Sequence, residues 1–191
     1  MHTSVEQRVI QASRECFFQH GYRLSNMTLI SEYAGVSRAT VHKYARNKED
    51  AFRKVCKQFQ VQAQEACTPF EELDLECWQA IDLILQIWLK PTFDEVSESR
   101  VLNDLKYHIQ HIAQDIFKEA RQILEDMINK QITKGIAKQQ ISLEQLGYTS
   151  QTLTQLILAS LDGLRGHYEK QDLNQASQNM LTVFKVACKV N

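Results

Sequence analysis

Apolar residues recur along the chain at three- and four-residue steps, and the runs they form are separated by short breaks. Val9, Ile10, Ala12, Ser13, Cys16 and Phe17 share one helical face, which predicts a first helix over residues 5–20. Thr3 and Ser4 stand ready to cap it, Glu6 and Gln7 lie at capping-box spacing, and Gly21 supplies a stop. Thr28 is expected to cap a short helix carrying Leu29, Ile30, Tyr33 and Ala34 and ending at Gly35. Ser37 then caps a second short helix over 38–44, whose core side is read as Ala39, Thr40, Val41 and Tyr44. Glycine allows the sharp reversal in Ala34-Gly35-Val36-Ser37, so the pair forms a helix-turn-helix over about residues 26–45. Asn47 caps a longer helix running from Lys48 to about Ala66.

Cys67-Thr68-Pro69 breaks the periodicity and marks the expected domain boundary, giving residues 1–66 and 67–191. Beyond it, residues 71–90 read as a helix with Leu73, Cys77, Trp78, Ile81, Ile84, Leu85 and Trp88 on the buried side. One or two helices follow to about Ile112, then a long amphipathic helix over 115–138. A final pair covers about 149–168 and 172–190. Only 6 glycines and 2 prolines are present, too few for a turn-rich sheet protein, and no glycine-rich phosphate cradle occurs. The expected fold is all-α, an N-terminal three-helix helix-turn-helix domain followed by a larger helical domain.

The formal net charge of −1 hides an asymmetry. Residues 1–66 carry ten basic and six acidic side chains, whereas 67–191 carry 12 basic and 17 acidic. Arg38, Lys43, Arg46, Lys48, Arg53, Lys54 and Lys57 cluster on and after the second short helix, which points to a phosphate-facing surface. The five cysteines are scattered with no CxxC pair and read as small buried apolar residues in a reducing compartment. The N-terminal residues lack a basic-then-apolar pattern, and the most apolar stretch, 80–89, is short and broken by Asp82 and Gln86. A cytoplasmic protein without membrane contact is expected.

From about Val9 to Val55 the chain resembles the tetracycline-repressor (TetR) family of bacterial transcription regulators. The resemblance rests on Ala12-Ser13, Phe17-Phe18 and Gly21-Tyr22, then on TLISEYAGVSRATVHKYARNKEDAF from Thr28 onward. It implies double-stranded DNA as a partner, contacted by Thr28, Ser37, Arg38, Ala39, Thr40, His42, Lys43, Tyr44 and Lys48. Arg38 has the fork to engage guanine, while Thr28, Ser37, Tyr44 and Lys48 suit phosphates. Two positions depart from the family pattern, since His42 replaces a usual tyrosine and Ala45 a usual aromatic. His42 retains the ability to donate to a phosphate or base edge, and Ala45 gives the helix a lighter anchor.

One short recognition helix reads few base pairs, so a homodimer on a palindromic operator is expected, as the family uses. Its interface is expected on the last two helices, through Leu153, Leu156, Ile157, Ser160, Leu161, Leu164, Met180 and Phe184. A pocket for a small-molecule inducer is expected among the middle helices, with Trp78, Trp88, Phe93, Asn103, Tyr107, His108, His111 and Phe117 as its lining. The alternative is a DNA-binding regulator with no small ligand, controlled by a protein partner or acting constitutively. Asp104, His108, His111 and Asp115 would share one helix face if that helix were continuous, but lacking a further fixed ligand they read as an exposed stripe rather than a metal site. No catalytic motif and no cofactor signature is present, so an enzyme is not expected.

Overall fold

The computed structural model describes residues 4–90, 95–168 and 170–190, and among these there is no strand. The described helices are α1 (Val5–Leu24), α2 (Met27–Ala34), α3 (Arg38–Tyr44), α4 (Lys48–Glu72) and α5 (Cys77–Leu89). They continue as α6 (Ser99–Ile112), α7 (Gln114–Ala137), α8 (Ser150–His167) and α9 (Lys170–Ala187), with a 3-10 turn at Glu144–Leu146 before α8.

The helix ends follow their caps. Ser4 Oγ accepts from Gln7 N at 3.1 Å and Gln7 Oε1 accepts from Ser4 N at 2.9 Å, closing a capping box on α1. Gly21 kinks α1 rather than ending it, at φ 76° and ψ 172°, and three more residues follow. Asn26, not Thr28, caps α2, its Oδ1 accepting from Leu29 N at 2.9 Å; Thr28 is already inside the helix. Pro69 does not break α4. It sits in the last turn, where its carbonyl still accepts from Leu73 N at 3.2 Å and only one backbone bond is forgone. The interruption falls at 73–76, leaving Leu73 49% exposed instead of buried, and the Glu76 carboxylate caps α5 through Gln79 N at 3.2 Å.

The chain forms two compact units. The described part of the first comprises residues 4–62 and 95–119, and that of the second comprises 63–90, 120–168 and 170–190. The first unit therefore takes in α6 and the start of α7, beyond the boundary read from Pro69. Its core joins Val9, Cys16 and Phe17 with Ile30, Val41, Phe52, Val55 and Leu105. Phe52 is fully buried, its ring edge-on to Phe17 at 5.2 Å and to Tyr22 at 5.1 Å.

The second unit is built on Ile81, Ile84 and Leu85 of α5, Ile128 and Ile132 of α7, and Leu153, Ile157, Leu158 and Leu161 of α8. Three residues expected at a dimer interface, Leu153, Ile157 and Leu161, are thus fully buried in the unit's own core. Their stripe serves the fold because α8 turns it toward the chain's own apolar helices. All five cysteines are free and buried, and burial pushes the Cys56 and Cys77 thiols up to about 12. No helix among the described residues is long and apolar enough to cross a membrane.

Candidate nucleic-acid interface

The turn between α2 and α3 depends on Gly35, which adopts the left-handed conformation (φ 59°, ψ 36°) and closes α2 by donating to Glu32 O at 3.2 Å. Arg8 reaches from α1 to the Ala34 carbonyl at 2.9 Å and holds the same corner. Ser37 Oγ then accepts from Thr40 N at 3.1 Å and lies 2.9 Å from Thr40 Oγ1. The two hydroxyls expected to face DNA are therefore also the cap of α3.

Val41 is fully buried and Ala45, just past the helix, is 1% exposed, so α3 sits on the first unit through these two residues. The missing aromatic at Ala45 is met by burying the small side chain itself. Arg38, Ala39, His42 and Lys43 all face outward, giving a continuous exposed stripe. Ala39, expected partly on the core side, belongs to that stripe because Val41 alone supplies the buried contact within α3. Thr28 is exposed in the first turn of α2, while Thr40 and Tyr44 are half-buried.

The basic cluster divides sharply. Arg38 and Lys43 have no acidic partner among the described residues, and the Arg46 side chain is 86% exposed with only a 3.8 Å approach to Asp50. The cations of α4 point elsewhere. Lys48, expected to contact a phosphate, donates to the Tyr22 carbonyl at 3.1 Å and lies 4.4 Å from the centre of the Tyr22 ring. Lys54 donates to the Tyr44 carbonyl. Arg53 grips both oxygens of Asp115, at 2.7 and 2.5 Å, and pulls that carboxyl down to about 2. Lys57 binds Glu119 at 2.8 and 2.9 Å and lowers its pKa in the same way. Four of seven clustered cations therefore hold the first unit together. Arg46, absent from the expected contact set, lies just past α3, and its place between Ala45 and Asn47 in the basic run was the available signal.

His42 is also changed by its surroundings. Its Nδ1 lies 2.9 Å from the Arg46 carbonyl, which can only accept, so Nδ1–H is spent internally. A neutral His42 thus has no N–H to offer a phosphate.

The residues expected to line a ligand pocket do not meet within either unit. Trp78 and Trp88 lie on α5 in the second; Asn103, Tyr107, His108, His111 and Phe117 lie in the first, and Phe93 falls outside the described residues. His108 stacks near Tyr22 at 4.3 Å, whereas Tyr107 is 58% exposed and stacks on His111 at 4.2 Å. Trp78 instead lines an open groove of about 350 Å³ between α5 and α9, with Glu76, Asp82, Gln178 and Lys185 among its neighbours.

The Asp–His stripe is interrupted, because α6 ends at Ile112 and Asp115 opens the next helix. Asp104 accepts from Arg23 N at 3.0 Å, and His108 and His111 each donate from Nδ1 to a carbonyl four residues back at 2.7 Å. No group of three or more His, Cys, Asp or Glu side chains among the described residues is placed to hold a metal.

Residues 9–55 match the family model for bacterial regulatory proteins of the tetR family. Comparison with curated protein sequences gives no match. Among solved structures, a TetR transcription regulator from Haloarcula marismortui shares the fold at a TM-score of 0.77 and 17% identity, covering 97% of this chain and 98% of that one. The fatty acid degradation regulator FadR from Bacillus halodurans aligns at 0.68 and 16% over 95% and 96%. A complex of SmeT with triclosan aligns at 0.67 and 14% over 99% and 93%. Residues 9–55 are thus similar to the DNA-reading segment of the tetR family of bacterial regulatory proteins, and the chain shares the fold of these solved proteins along nearly its whole length.

Proposed function

We propose that the protein is a DNA-binding transcriptional repressor that holds a palindromic operator as a homodimer and is released by a small-molecule inducer. The observation that carries this reading is the outward stripe Arg38-Ala39-His42-Lys43 on a helix anchored beneath by Val41 and Ala45. A short helix with donors on one face and a buried apolar foot enters a major groove without losing its support. Arg38 reads base acceptors, Lys43 and Arg46 neutralise phosphates, and Thr28 offers a hydroxyl beside them.

The homodimer is supported by the outer surface of the last helices. Leu156 of α8 is 38% exposed, and Val183 and Val186 of α9 are 69% and 71% exposed. The two valines lie three residues apart, hence on one face. They form the contact with a second copy, while Ser160, Leu164, Met180 and Phe184, all half-buried, flank it.

Release works through the segment 95–119. Asp104 binds the backbone N–H of Arg23 just before α2, and Arg53 and Lys57 fasten Asp115 and Glu119 to α4. A ligand that displaces α6 or α7 therefore pulls on the α1–α2 junction and shifts the position of α3. The shared fold with SmeT, solved in complex with triclosan, supports a small-molecule ligand.

The test is a gel shift and footprint on duplex DNA flanking the protein's own gene. The reading predicts two protected half-sites about one helical turn apart, roughly 34–36 Å. Absence of a symmetric footprint, or binding undiminished by Arg38→Ala with Lys43→Ala, contradicts it.

A further inference from the structure

His42 is exposed on α3 one turn beyond Arg38, and its hydrogen-bonding sign is set by the fold. Nδ1 lies 2.9 Å from the Arg46 carbonyl. Because that oxygen has no proton to give, Nδ1 holds the ring's proton and Nε2 carries a free lone pair in the neutral imidazole. The carbonyl is held where it is. Ala45 leaves α3 in an extended conformation (φ −142°, ψ 107°) with its side chain buried, and its N–H donates to Val41 O at 2.8 Å. On the other side, Arg46 N donates to Asp50 Oδ2 at 2.9 Å, and Asp50 N donates to Asn47 Oδ1 at 2.8 Å. The peptides around the Arg46 carbonyl are pinned at both ends, so the imidazole keeps its tautomer.

An outward lone pair repels a phosphate and seeks a donor. In the major groove the donors are the N6 amino group of adenine and the N4 amino group of cytosine. Every base pair carries one of these, so an acceptor does not separate A·T from G·C. It reports which strand bears the amino group.

Resting on the DNA-reading role of α3, we infer that His42 is a specificity-determining residue whose Nε2 accepts from adenine N6 or cytosine N4. One position in each half-site then distinguishes A or C from G or T on a single strand. Arg38, a donor only, reads the opposite code one turn earlier through guanine O6 and N7. The exposed Ala39 between them leaves no bulk to hold the helix away from the base edges.

The experiment is selection from a randomised duplex library with the full chain at pH 8. One position per half-site is expected to favour A or C over G or T by roughly tenfold or more. His42→Leu, which removes the acceptor, flattens that position and leaves the Arg38 position intact. His42→Lys, a donor only, turns the preference to G or T. Equal thermal unfolding of wild type and both variants establishes that they are folded. A G-or-T preference in the wild type overturns the inference, as does an unchanged position in His42→Leu. A uniform loss across all sequences with His42→Leu also overturns it, assigning His42 to a phosphate. If no duplex is enriched by the wild type, the DNA-binding reading itself fails and the inference falls with it.

Discussion

Two neighbouring stretches of this chain carry the same charge and use it in opposite ways. On and just after α3, Arg38 and Lys43 project outward without an acidic partner among the described residues, and Arg46 does so with Asp50 at 3.8 Å. On α4, Lys48, Arg53, Lys54 and Lys57 turn toward carbonyls and carboxylates of their own unit. A run of basic residues is thus not one surface. Helical phase decides which cations face a partner and which become internal fasteners.

The largest expected effect comes from the outward group. Arg38→Ala with Lys43→Ala should lower operator affinity roughly 100-fold or more by gel shift, since it removes a base reader and a phosphate contact. Thermal unfolding should be nearly unchanged because both side chains are exposed. If affinity survives, the α3 stripe is not the reading surface.

Assembly gives the next contrast. Val183→Asp with Val186→Asp places two charges in the proposed contact between copies and should convert the dimer to monomer by light scattering, with the fold retained. Leu153→Ala should instead lower stability by about 2–5 kcal/mol, because Leu153 is core. An oligomeric state untouched by the aspartates would move the interface elsewhere.

A smaller effect is expected at the α1 kink. Gly21 has positive φ, and a Cβ there would lie 2.7 Å from Asp104 Oδ2. Gly21→Ala should destabilise by about 1–3 kcal/mol in denaturant unfolding. Asp104→Ala in the same chain should recover the part due to crowding and leave the part due to backbone strain.

The inward cations give the smallest signal. Arg53 holds Asp115 at a pKa of about 2, below the ordinary carboxylate value. A depressed acid stabilises the fold above its ordinary pKa and loses that contribution as pH falls. The Tm difference between wild type and Arg53→Ala should therefore be constant above about pH 5 and shrink as pH falls through about 4 toward about 2. Asp115 is exposed and Arg53 only half-buried, so the difference is small throughout.

Much of the fold was legible because local signals agreed with packing. Ser37, Gly35 and Asn47 act in the structure as their residue types dictate, and the spacing of Val9, Cys16 and Phe17 marks a genuine core face. Pro69 misled because proline late in a helix costs only one bond, and the real break at 73–76 carries no glycine or proline. The exposed face of α3 was legible in the same way. The stripe Arg38-His42-Lys43 follows from helical phase, but Lys48 and Arg53 find partners 26 and 62 residues away, which no local pattern reveals. The Leu153-Ile157-Leu161 stripe was apolar for the chain's own core, and periodicity alone does not say which surface covers a stripe.

The division between outward and inward cations is tested most directly by the salt dependence of operator binding, measured by fluorescence anisotropy. Removing one cation that neutralises a phosphate should reduce the log–log slope by roughly 0.9. Lys43→Ala with Arg46→Ala should reduce it by about twice that amount, while Arg53→Ala with Lys57→Ala should leave it unchanged. The reverse pattern, an unchanged slope for the first pair and a reduced slope for the second, would place DNA on α4 and contradict the account.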